Sequence, residues 1–505
     1  MKNCLIFFLG LTVSLYGQQN LSDRLFSLFI NQLTIFPQEK LYLHTDKPFY
    51  ITGEKIWFRA HLVSAVDHVT FPFSRYVYVE LHSPSDSLVS RVKIQNDSNA
   101  YHGHIEIPQD IPEGEYFLRA YTNFMLSLDE HYLFTKTVSI GAPASRKLQA
   151  EIKDVKETKD SNRKLIPVPA TDNNFDVTFY PEGGYLLQGV TSRIAFKAQK
   201  SDGCSADVEG IVYDNNGNEK GRISTEFQGM GSFSIHPEED AFYHVVCTDD
   251  KKQSKRFEIP VAKKTGHILS VNNMAKEHIL VSILKNVHEV QHEMLYLLAH
   301  TRGKVHFISQ WNEGEKFISL SKKEFPSGVL HLVLFDSQLN PVSERLVFVN
   351  NDDRAQVSFQ SDRDSYGARE PVNSRVTITD EAGEPLQGSF SVAVTDDKAV
   401  LTDSGANILT FMLLTSDLRG NIENPAAYFS KDNSSGWALD LLMLTQGWRR
   451  YDVAAIAQGR IAQPSSALEL GAEISGRVRR MLLDRPVEKA KISMPRLTVY
   501  ISMLQ

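Results

Sequence analysis

The sequence predicts a mainly β protein built from tandem β-sandwiches, with one helical insertion near the C-terminus. From Lys40 onward, short runs of alternating apolar and polar residues are separated by turns rich in Pro, Gly, Asp and Ser. This pattern is typical of β-sandwiches. A similar order of features recurs at 46–60, 179–198 and 361–380. Such recurrence indicates that one domain type has been duplicated.

In each copy, an aromatic residue lies between two polar turns and is followed by an alternating strand. In the first copy, Ile56, Phe58 and Ala60 are expected on the core side of the sheet, because strand side chains alternate between faces. We predict that the aromatic residue plugs the end of the sandwich and that the stretch is structural, not a catalytic site. The three aromatic residues are Tyr50, Tyr185 and Tyr366.

Length and composition limit the class of protein. A chain of 505 residues is too long for a single hydrophobic core, and 42% hydrophobic with 23% charged residues is ordinary globular composition. The formal net charge of −7, with no basic stripe, argues against a nucleic-acid-binding protein. Beyond the N-terminus, no segment is long and apolar enough to predict a transmembrane helix.

Residues 1–17 are predicted to be a signal peptide. Lys2 precedes an apolar stretch that is too short to cross a bilayer, and Gly17 offers a small residue for cleavage before Gln18. Cys4 opens the apolar stretch and does not follow it, which argues against a lipoprotein. The mature protein is therefore expected to be exported.

The first half of the mature chain divides into a helix and three sandwiches. Residues 18–37 have helical apolar spacing and end at a proline, so a short helix is predicted. The charged stretch between the first two sandwiches has few aromatic residues and is read as a linker or an edge strand. The predicted ranges are 38–141 for the first sandwich, 142–174 for the linker, 175–262 for the second sandwich and 263–351 for the third.

The C-terminal part departs from pure β structure. A fourth sandwich is predicted at 352–465, with a helical insertion because Leu439, Leu442 and Met443 have helical spacing. Residues 466–505 begin as another sandwich would, but they are too few to close one. This tail is read as the start of a truncated sandwich or as an edge strand added elsewhere.

Three stretches resemble macroglobulin-type domains, which are immunoglobulin-like sandwiches of the alpha-2-macroglobulin superfamily. They are "DKPFYITGEKIWFRA" at 46–60, "FYPEGGYLLQGVTSRIAFKA" at 179–198 and "DRDSYGAREPVNSRVTITDEAGEPLQGSFSVAVTD" at 362–396. The resemblance implies protein binding of the endopeptidase-inhibitor kind. The sequence has no Gly-Cys-Gly-Glu-Gln-like thioester, and Cys204 lies in a plain "DGCSAD" turn, so covalent trapping of a protease is not supported.

A closer resemblance is to exported Bacteroidota proteins in which such domains precede a carboxypeptidase-regulatory-like domain and a TonB-dependent-receptor plug-like domain. It rests on "TSDLRGNIENPAAYF" at 415–429, "LDLLMLTQGWRRY" at 439–451 and "ISGRVRRMLLDRPVEKAKI" at 474–492. The resemblance implies a location in the periplasm or at the outer membrane, and a peptidase or an envelope complex as partner. The plug-like region is missing from this sequence.

The strongest catalytic motif is a formal H-E-x-x-H match formed by His288, Glu289 and His292. On a helix, this spacing would hold zinc with Glu289 as general base, and Glu313 could be a third ligand. The match lies between two runs that alternate like strands, where a hairpin turn belongs. A solvated turn is therefore predicted, and a zinc peptidase stays a remote alternative.

Two other groups leave alternatives open. Cys204 and Cys247 fall in one predicted domain of an exported protein, so they could form a disulfide or remain separate thiols at strand ends. The run Trp448-Arg449-Arg450-Tyr451 could be a helix with aromatic residues inward and arginines outward. It could also be a partner contact, because Trp, Tyr and Arg are typical of interface anchors.

The remaining polar motifs are predicted to be structural. Residues 181–184, Pro-Glu-Gly-Gly, lack the context of a phosphate loop, and His44, His61 and His68 are read as strand-surface histidines. No catalytic residue, cofactor or metal ligand is predicted. The predicted function is an exported, non-enzymatic binding or scaffold protein of the cell envelope. The alternative is the periplasmic N-terminal portion of a TonB-dependent transport-associated protein.

Overall fold

The computed structural model describes residues 21–70, 73–97, 100–141, 174–286, 294–312, 314–395, 406–430, 436–446 and 450–471. It confirms the predicted fold class, because its regular structure is mostly strand and its sheets pair into successive β-sandwiches. Three complete sandwiches occupy 39–141, 175–258 and 267–349. No helix in the described segments is long and apolar enough to span a membrane.

The first sandwich contains eight strands. They are β1 Glu39–Thr45, β2 Phe49–Ile51, β3 Lys55–Ser64, β4 Tyr76–His82, β5 Leu88–Gln95, β6 Tyr101–Glu106, β7 Gly114–Tyr121 and β8 Phe134–Gly141. The sheet β1-β3-β6 faces the sheet β2-β8-β7-β4-β5, in which only β2 and β8 pair in parallel. The predicted alternation in β3 is confirmed, since Ile56, Phe58 and Ala60 are buried while Trp57 is exposed.

The second sandwich contains seven strands. They are β9 Phe175–Pro181, β10 Ser192–Lys200, β11 Val208–Asp214, β12 Glu219–Ser224, β13 Met230–Ile235, β14 Tyr243–Asp249 and β15 Ser254–Glu258. The sheet β13-β10-β9 faces the sheet β12-β11-β14-β15. Phe196 and Val245 are fully buried in the core between them.

The third sandwich also has seven strands. They are β16 His267–Asn272, β17 His278–Lys285, β18 Tyr296–Thr301, β19 Lys304–Gln310, β20 Ile318–Ser321, β21 Gly328–Phe335 and β22 Pro341–Val349. The sheet β16-β17-β20 faces the sheet β19-β18-β21-β22. Every residue of β21 is buried. Its run "GVLHLVLF" is apolar on both faces, which is expected of a strand that is covered from both sides.

The outer face of β21 is covered by helices. They are α1 Leu21–Ile35, α2 Ile408–Leu413, α3 Trp437–Thr445 and α4 Val453–Ala457. Leu330 and Leu332 enter the sandwich core, whereas Val329 packs with α3 and Val333 packs with α1 and α4. The predicted N-terminal helix is confirmed as α1, and the predicted helical region near the C-terminus is confirmed as α2 to α4.

Residues 406–471 are called here the helical segment. The helix α3, "WALDLLMLT", is apolar on nearly all sides and is buried accordingly. Its residues share a core with Met230 of the second sandwich and Phe348 of the third. The helical segment therefore packs across the preceding sandwiches, whereas the sequence predicted it as an insertion within a fourth one.

Between the third sandwich and the helical segment, the described chain forms one antiparallel hairpin. Its strands are β23 Gln356–Ser361 and β24 Ser374–Thr379. All six residues of β23 are exposed. In the part of 352–465 that the structure describes, this two-stranded sheet stands where the sequence predicted a fourth sandwich.

Candidate functional site: two buried junctions and an exposed apolar hairpin

The stretch around Tyr50 is a hydrogen-bonded turn. The Tyr50 hydroxyl donates to Asp46 Oδ1 at 2.6 Å, and the same oxygen accepts from the backbone N–H of Trp57 at 3.1 Å. Lys47 Nζ lies 2.7 Å from Glu54 Oε2. Tyr50 is fully buried in the first core, and burial raises the pKa of its hydroxyl well above the usual range. The predicted structural role of this stretch is confirmed.

The same turn recurs at the start of the hairpin. Asp362, Arg363, Tyr366 and Glu370 have the same spacing as Asp, Lys, Tyr and Glu in the first sandwich. The Tyr366 hydroxyl donates to Asp362 Oδ1, and Arg363 Nη1 lies 3.2 Å from Glu370 Oε2. The predicted repeat is thus confirmed for 46–60 and 361–380, down to individual hydrogen bonds.

Tyr185, predicted to match Tyr50, has a different role. Its hydroxyl donates to the carbonyl of His267 at 2.8 Å and lies 3.0 Å from the backbone nitrogen of the same residue. His267 begins the third sandwich, so Tyr185 joins two domains and does not close the end of one. The sequence pattern alone could not separate these roles, because both place a tyrosine after a polar turn.

The neighbouring Glu182 forms the centre of a buried junction between the second and third sandwiches. Its carboxylate accepts hydrogen bonds from the Val271 N–H at 3.1 Å and from Arg345 Nε at 3.1 Å. Gly183 has φ +75°, and a Cβ there would lie 2.7 Å from both Ile268 Cγ2 and Ser343 Oγ. The Pro-Glu-Gly-Gly motif therefore allows close approach of two domains.

The helix α3 completes this junction, called here the Glu182 junction. Asp440 lies 2.6 Å from Arg345 Nη2 and 2.7 Å from Arg193 Nη1. Two carboxylates thus face two guanidinium groups, and their formal charges balance. A cleft of about 400 Å³ opens beside Glu182, Arg193 and Asp440.

A second buried junction joins the first sandwich, the third sandwich and the helical segment. We call it the Lys40 junction. Lys40 Nζ donates to Asp417 Oδ1 at 2.8 Å and to the carbonyl of Met412 at 3.0 Å, and His68 Nε2 lies 3.2 Å away. The Lys40 side chain is 0% exposed and that of Asp417 is 4% exposed.

Two arginines approach the same carboxylate. Arg302 Nη1 lies 3.6 Å from Asp417 Oδ2, and Arg302 Nε donates to the carbonyl of Val66 at 3.0 Å. Arg450 Nη1 lies 3.9 Å from Asp417 Oδ1, and Arg450 Nε donates to Gln38 Oε1 at 2.6 Å. Both arginine side chains are 3% exposed. Three cationic side chains therefore surround one carboxylate in this junction.

Burial and charge shift the ionisation of these groups. Burial lowers the pKa of Lys40 to about 7, against the attraction of Asp417. Burial opposes ionisation of Asp417, but Lys40, Arg302 and Arg450 outweigh it and hold the pKa of that carboxyl below its usual value. Burial, reinforced by Lys40, lowers the pKa of His68 to about 2. The histidine is therefore neutral.

The Lys40 junction contains part of the predicted partner contact. Arg450 and Tyr451 are buried inside the chain, so neither is presented to a partner, and Arg450 does not point outward as its helical interpretation predicted. The reason is that Arg450 reaches Gln38 and the carbonyl of Glu39 in the first sandwich. Trp448 and Arg449 lie outside the described residues.

The histidines lie in two places. His44 Nδ1 and His61 Nε2, on the outer face of the first sandwich, are hydrogen-bonded to Ser391 Oγ at 2.6 and 3.1 Å. This position agrees with the predicted strand-surface role, although the chain at 389–391 covers both side chains in part. His68 differs from the prediction, because it lies in a turn against the buried Lys40.

The cysteines are separate thiols, and the alternative disulfide is not formed. Cys247 lies in the second core, where burial raises the pKa of its thiol to about 12. Cys204 lies on the turn that precedes β11. Within the described residues, no group of His, Cys, Asp and Glu could hold a metal ion. The residues of the H-E-x-x-H match and its third ligand are outside them: His288, Glu289, His292 and Glu313.

The hairpin presents an apolar face to solvent. Val357 pairs with Ile378 and Phe359 pairs with Val376 across the two strands, so these four side chains share one face. Val357 is 66% exposed and Phe359 is 61% exposed. We call these four residues the apolar hairpin face. In a sandwich, a second sheet would cover this face. Among the described residues, no second sheet covers it.

Comparison with known proteins gives structural similarity only. No protein-family model matches the sequence, and no curated protein matches it. Alpha-2-macroglobulin from Salmonella, in a structure of the methylamine-reacted protein, has 11% identity and a TM-score of 0.18 over 67% of this chain and 25% of that chain. These similarities concern the fold alone.

Two further solved structures are similar. Escherichia coli alpha-2-macroglobulin activated by porcine elastase has 11% identity and a TM-score of 0.22, over 69% of this chain and 34% of that chain. Dimeric latent PorU from Porphyromonas gingivalis has 11% identity and a TM-score of 0.26, over 62% and 34%. The chain thus spans a quarter to a third of the length of these proteins.

Proposed function

We propose that the protein is a non-enzymatic binding or scaffold protein of the cell envelope, and that its apolar hairpin face receives a strand of a protein partner. The observation that carries this proposal is the exposure of Val357 and Phe359 on a two-stranded sheet. Contiguous exposed apolar side chains on a sheet mark an interaction surface. The predicted signal peptide supports the location in the envelope.

Covering this surface would stabilise a complex. Covering an exposed Val or Phe side chain completely contributes about 1.5–3 kcal/mol for each residue. Among the described residues, β23 pairs with β24 on one edge and with no strand on the other, and a sheet edge of this kind can pair with a further strand. A partner strand added at this edge would gain main-chain hydrogen bonds and place alternate side chains on the same face of the sheet, beside Val357 and Phe359.

The first sandwich contacts residues 389–391, which follow the hairpin. Arg59 Nη1 donates to the carbonyl of Phe390 at 3.0 Å, and Arg59 Nη2 donates to Ser389 Oγ. Ser391 is held by His44 and His61. Buried ionic junctions join the three sandwiches, and residues 389–391 attach the chain that follows the hairpin to the first of them. This arrangement suits a scaffold.

The sequence resemblance to the alpha-2-macroglobulin superfamily makes a peptidase one partner class to test. Recognition in this proposal is reversible and uses the apolar hairpin face, without any covalent step. A second component of an envelope complex would use the same surface in the same way. The two partner classes are distinguished by the identity of the protein that contacts Phe359.

Photo-cross-linking in cells tests the proposal. The photoreactive residue p-benzoyl-phenylalanine replaces Phe359 in the full chain, and the matched control places it at Phe317 of the third sandwich, which is 55% exposed. We expect the Phe359 position to give an adduct with one envelope protein, which mass spectrometry identifies. The control position is expected to give no such adduct.

Binding of the identified partner then has to depend on the same side chain. With both proteins purified, Phe359→Asp is expected to raise the dissociation constant at least about tenfold, since it loses roughly 1.4 kcal/mol or more of apolar contact. Phe317→Asp is expected to leave the constant unchanged. An adduct of Phe359 only with another part of the same chain, or equal effects of both variants, would contradict the proposal.

A further inference from the structure

The Lys40 junction has an unbalanced charge. The side chains of Arg302 and Arg450 stay protonated in proteins, and the only carboxylate that contacts them in the described structure is Asp417. Even with Lys40 neutral, two positive charges face one negative charge. Buried charges are expensive unless they are paired, so one further negative charge would stabilise this arrangement.

A small cavity lies where that charge is needed. Its volume is about 30 Å³, and it is lined by Arg302, Asp417, Arg450 and Tyr451, together with His300, His331 and two apolar side chains. A cavity must exceed roughly 10–15 Å³ to hold a water molecule. This one therefore admits one or two particles of the size of water, and it is too small for a carboxylic acid or a nucleotide.

Two buried donors from residues that line the cavity make no hydrogen bond, and neither does one acceptor, Asp417 Oδ2, which lies 3.6 Å from Arg302 Nη1. The donors are Arg302 Nη1 and the Tyr451 hydroxyl, and their residues are 6% and 4% exposed. Burial raises the pKa of Tyr451 to about 12, so its hydroxyl keeps the proton that it can donate. An unpaired buried donor costs about 1–3 kcal/mol. Both donors would be satisfied by an acceptor placed in the cavity.

We propose that this cavity binds one small monovalent anion of the halide class, held by Arg302 Nη1 and the Tyr451 hydroxyl. Chloride is only slightly larger than water and accepts hydrogen bonds from several donors. When Lys40 is neutral, the charges of the two arginines, Asp417 and the bound anion sum to zero. Because Arg302 belongs to the third sandwich and Tyr451 to the helical segment, the anion stabilises the contact between them.

The other charged and titratable groups around the cavity are compatible with an anion. Gly303 N–H donates to His300 Nδ1 at 3.2 Å, and His300 Nε2 lies 3.0 Å from His331 Nδ1. His331 Nε2 in turn lies 3.0 Å from Glu344 Oε2. With His300 Nδ1 accepting from Gly303, the His300 Nε2–H can donate to His331 Nδ1 and the His331 Nε2–H to Glu344, an arrangement that needs no charge on either ring. The Glu344 carboxylate is 30% exposed, so solvent screens its charge.

The other ionisable neighbours lie on the side of Lys40. His68 is neutral at physiological pH because burial lowers its pKa. Burial also raises the pKa of Tyr132, which lies against Arg450, so its hydroxyl is uncharged. Asp417 is then the one full negative charge that faces the cavity, and the cationic side chains outnumber it.

Thermal unfolding of the purified full chain tests the proposal at constant ionic strength. Sodium gluconate, whose anion is too large for the cavity, is replaced stepwise by sodium chloride or sodium bromide. We expect a saturable rise of Tm with either halide, because a ligand that binds only the folded state stabilises it. Equal Tm in gluconate and in halide at all ratios would overturn the proposal.

Variants identify the site. Tyr451→Phe keeps the ring but removes the donor, and it is expected to raise the half-saturating halide concentration about tenfold, as for one hydrogen bond to a charged group. The control is Tyr428→Phe, elsewhere in the helical segment. It loses a hydroxyl that donates to Gln228 Oε1 of the second sandwich at 2.9 Å. It is expected to keep the wild-type halide dependence. The same shift in both variants would contradict the assignment.

Diffraction from crystals grown in sodium bromide gives a test that needs no variant. An anomalous bromide peak within hydrogen-bonding distance of Arg302 Nη1 and the Tyr451 hydroxyl supports the proposal. A cavity that holds only water at saturating bromide overturns it. Because this result does not involve the hairpin, it is independent of the proposed binding function.

Discussion

Lys40 Nζ lies 2.8 Å from Asp417 Oδ1, in a place where neither side chain is more than 4% exposed. Lys40 belongs to the first strand of the first sandwich, and Asp417 belongs to the helical segment, 377 residues further along the chain. Their contact joins the first sandwich to the helical segment, next to Arg302 of the third sandwich. It also makes each group dependent on the other, because a buried charge without its partner is strongly destabilising.

Asp417→Asn is therefore expected to lower the free energy of unfolding by about 3–5 kcal/mol, since it leaves buried cations without a carboxylate. Chemical denaturation measures this loss. The control is Glu106→Gln, which breaks the exposed pair of Lys55 and Glu106 at 3.2 Å. It is expected to change stability by less than about 1 kcal/mol. Similar values for the two variants would show that the buried cations do not depend on Asp417.

Lys40 should make stability depend on pH. Its pKa is about 7 in the folded chain and 10.5 at its ordinary value. Between these values the unfolded state binds more protons, so stability rises with pH; below about pH 7 the lysine is charged in both states and its destabilising effect is complete. Lys40→Met removes this dependence. From about pH 7 to pH 9.5, the stability of wild type relative to the variant is expected to rise by up to about 1.4 kcal/mol per pH unit.

The measurement is denaturant unfolding of both proteins at several pH values in that window. The difference between them isolates Lys40, because the buried tyrosines titrate alike in both. Parallel stability curves for wild type and Lys40→Met would contradict the lowered pKa. A relative stability that falls as pH rises would show that folding raises the pKa of Lys40 and does not lower it.

Local patterns predicted local structure well. The alternation of Ile56, Phe58 and Ala60 fixes which face of β3 is buried, and this information lies entirely within a few neighbouring residues. The turns around Tyr50 and Tyr366 were predictable for the same reason, because each turn is hydrogen-bonded within itself. Such features need no knowledge of the rest of the chain.

The junctions could not be predicted in this way. A lysine in an alternating strand, such as Lys40, is normally read as a surface residue, and nothing near it in the sequence indicates Asp417. The same holds for Arg450. One interpretation of the sequence places its side chain on the outer side of a helix, whereas in the structure the side chain reaches the first sandwich. These positions are decided by how whole domains pack, and that information is spread over distant parts of the chain.

For the apolar hairpin face, the domain that the sequence predicts stays a prediction. The alternation of Val357 and Phe359 is the pattern of a sandwich core, and the sequence accordingly predicted a complete fourth sandwich. Among the described residues these side chains are exposed. Alternating apolar residues indicate that one face of a strand is buried, but they do not indicate which part of the protein, or which partner, buries it.

The Glu182 junction gives a test of domain contact with a closely matched control. Gly183→Ala must place a methyl group 2.7 Å from Ile268 Cγ2 and Ser343 Oγ at a backbone φ of +75°. We expect a loss of about 2–5 kcal/mol, the sum of about 1–2 kcal/mol for the left-handed backbone and about 1–3 kcal/mol for the forced separation. Faster hydrogen exchange at 267–272 is expected with it.

Gly189→Ala separates the two contributions. Gly189 has a similar φ of +71°, but a Cβ there meets nothing within 4 Å. It should therefore lose only the backbone contribution of about 1–2 kcal/mol and leave exchange at 267–272 unchanged. Equal losses in both variants would mean that the Pro-Glu-Gly-Gly motif needs its glycine for backbone geometry alone, and not for the approach of the third sandwich.

The repeated turn offers two versions of one hydrogen bond in different surroundings. Tyr50 is fully buried, whereas Tyr366 is partly exposed on the hairpin, and each hydroxyl donates to the aspartate four residues earlier. Tyr50→Phe leaves Asp46 short of a donor in a partly buried place and is expected to lose about 1–3 kcal/mol of unfolding free energy. Tyr366→Phe is expected to lose less than about 1 kcal/mol, because water can replace the donor. Denaturation of both variants checks the order, and a larger loss for Tyr366→Phe would show that the hairpin turn is buried in the working protein.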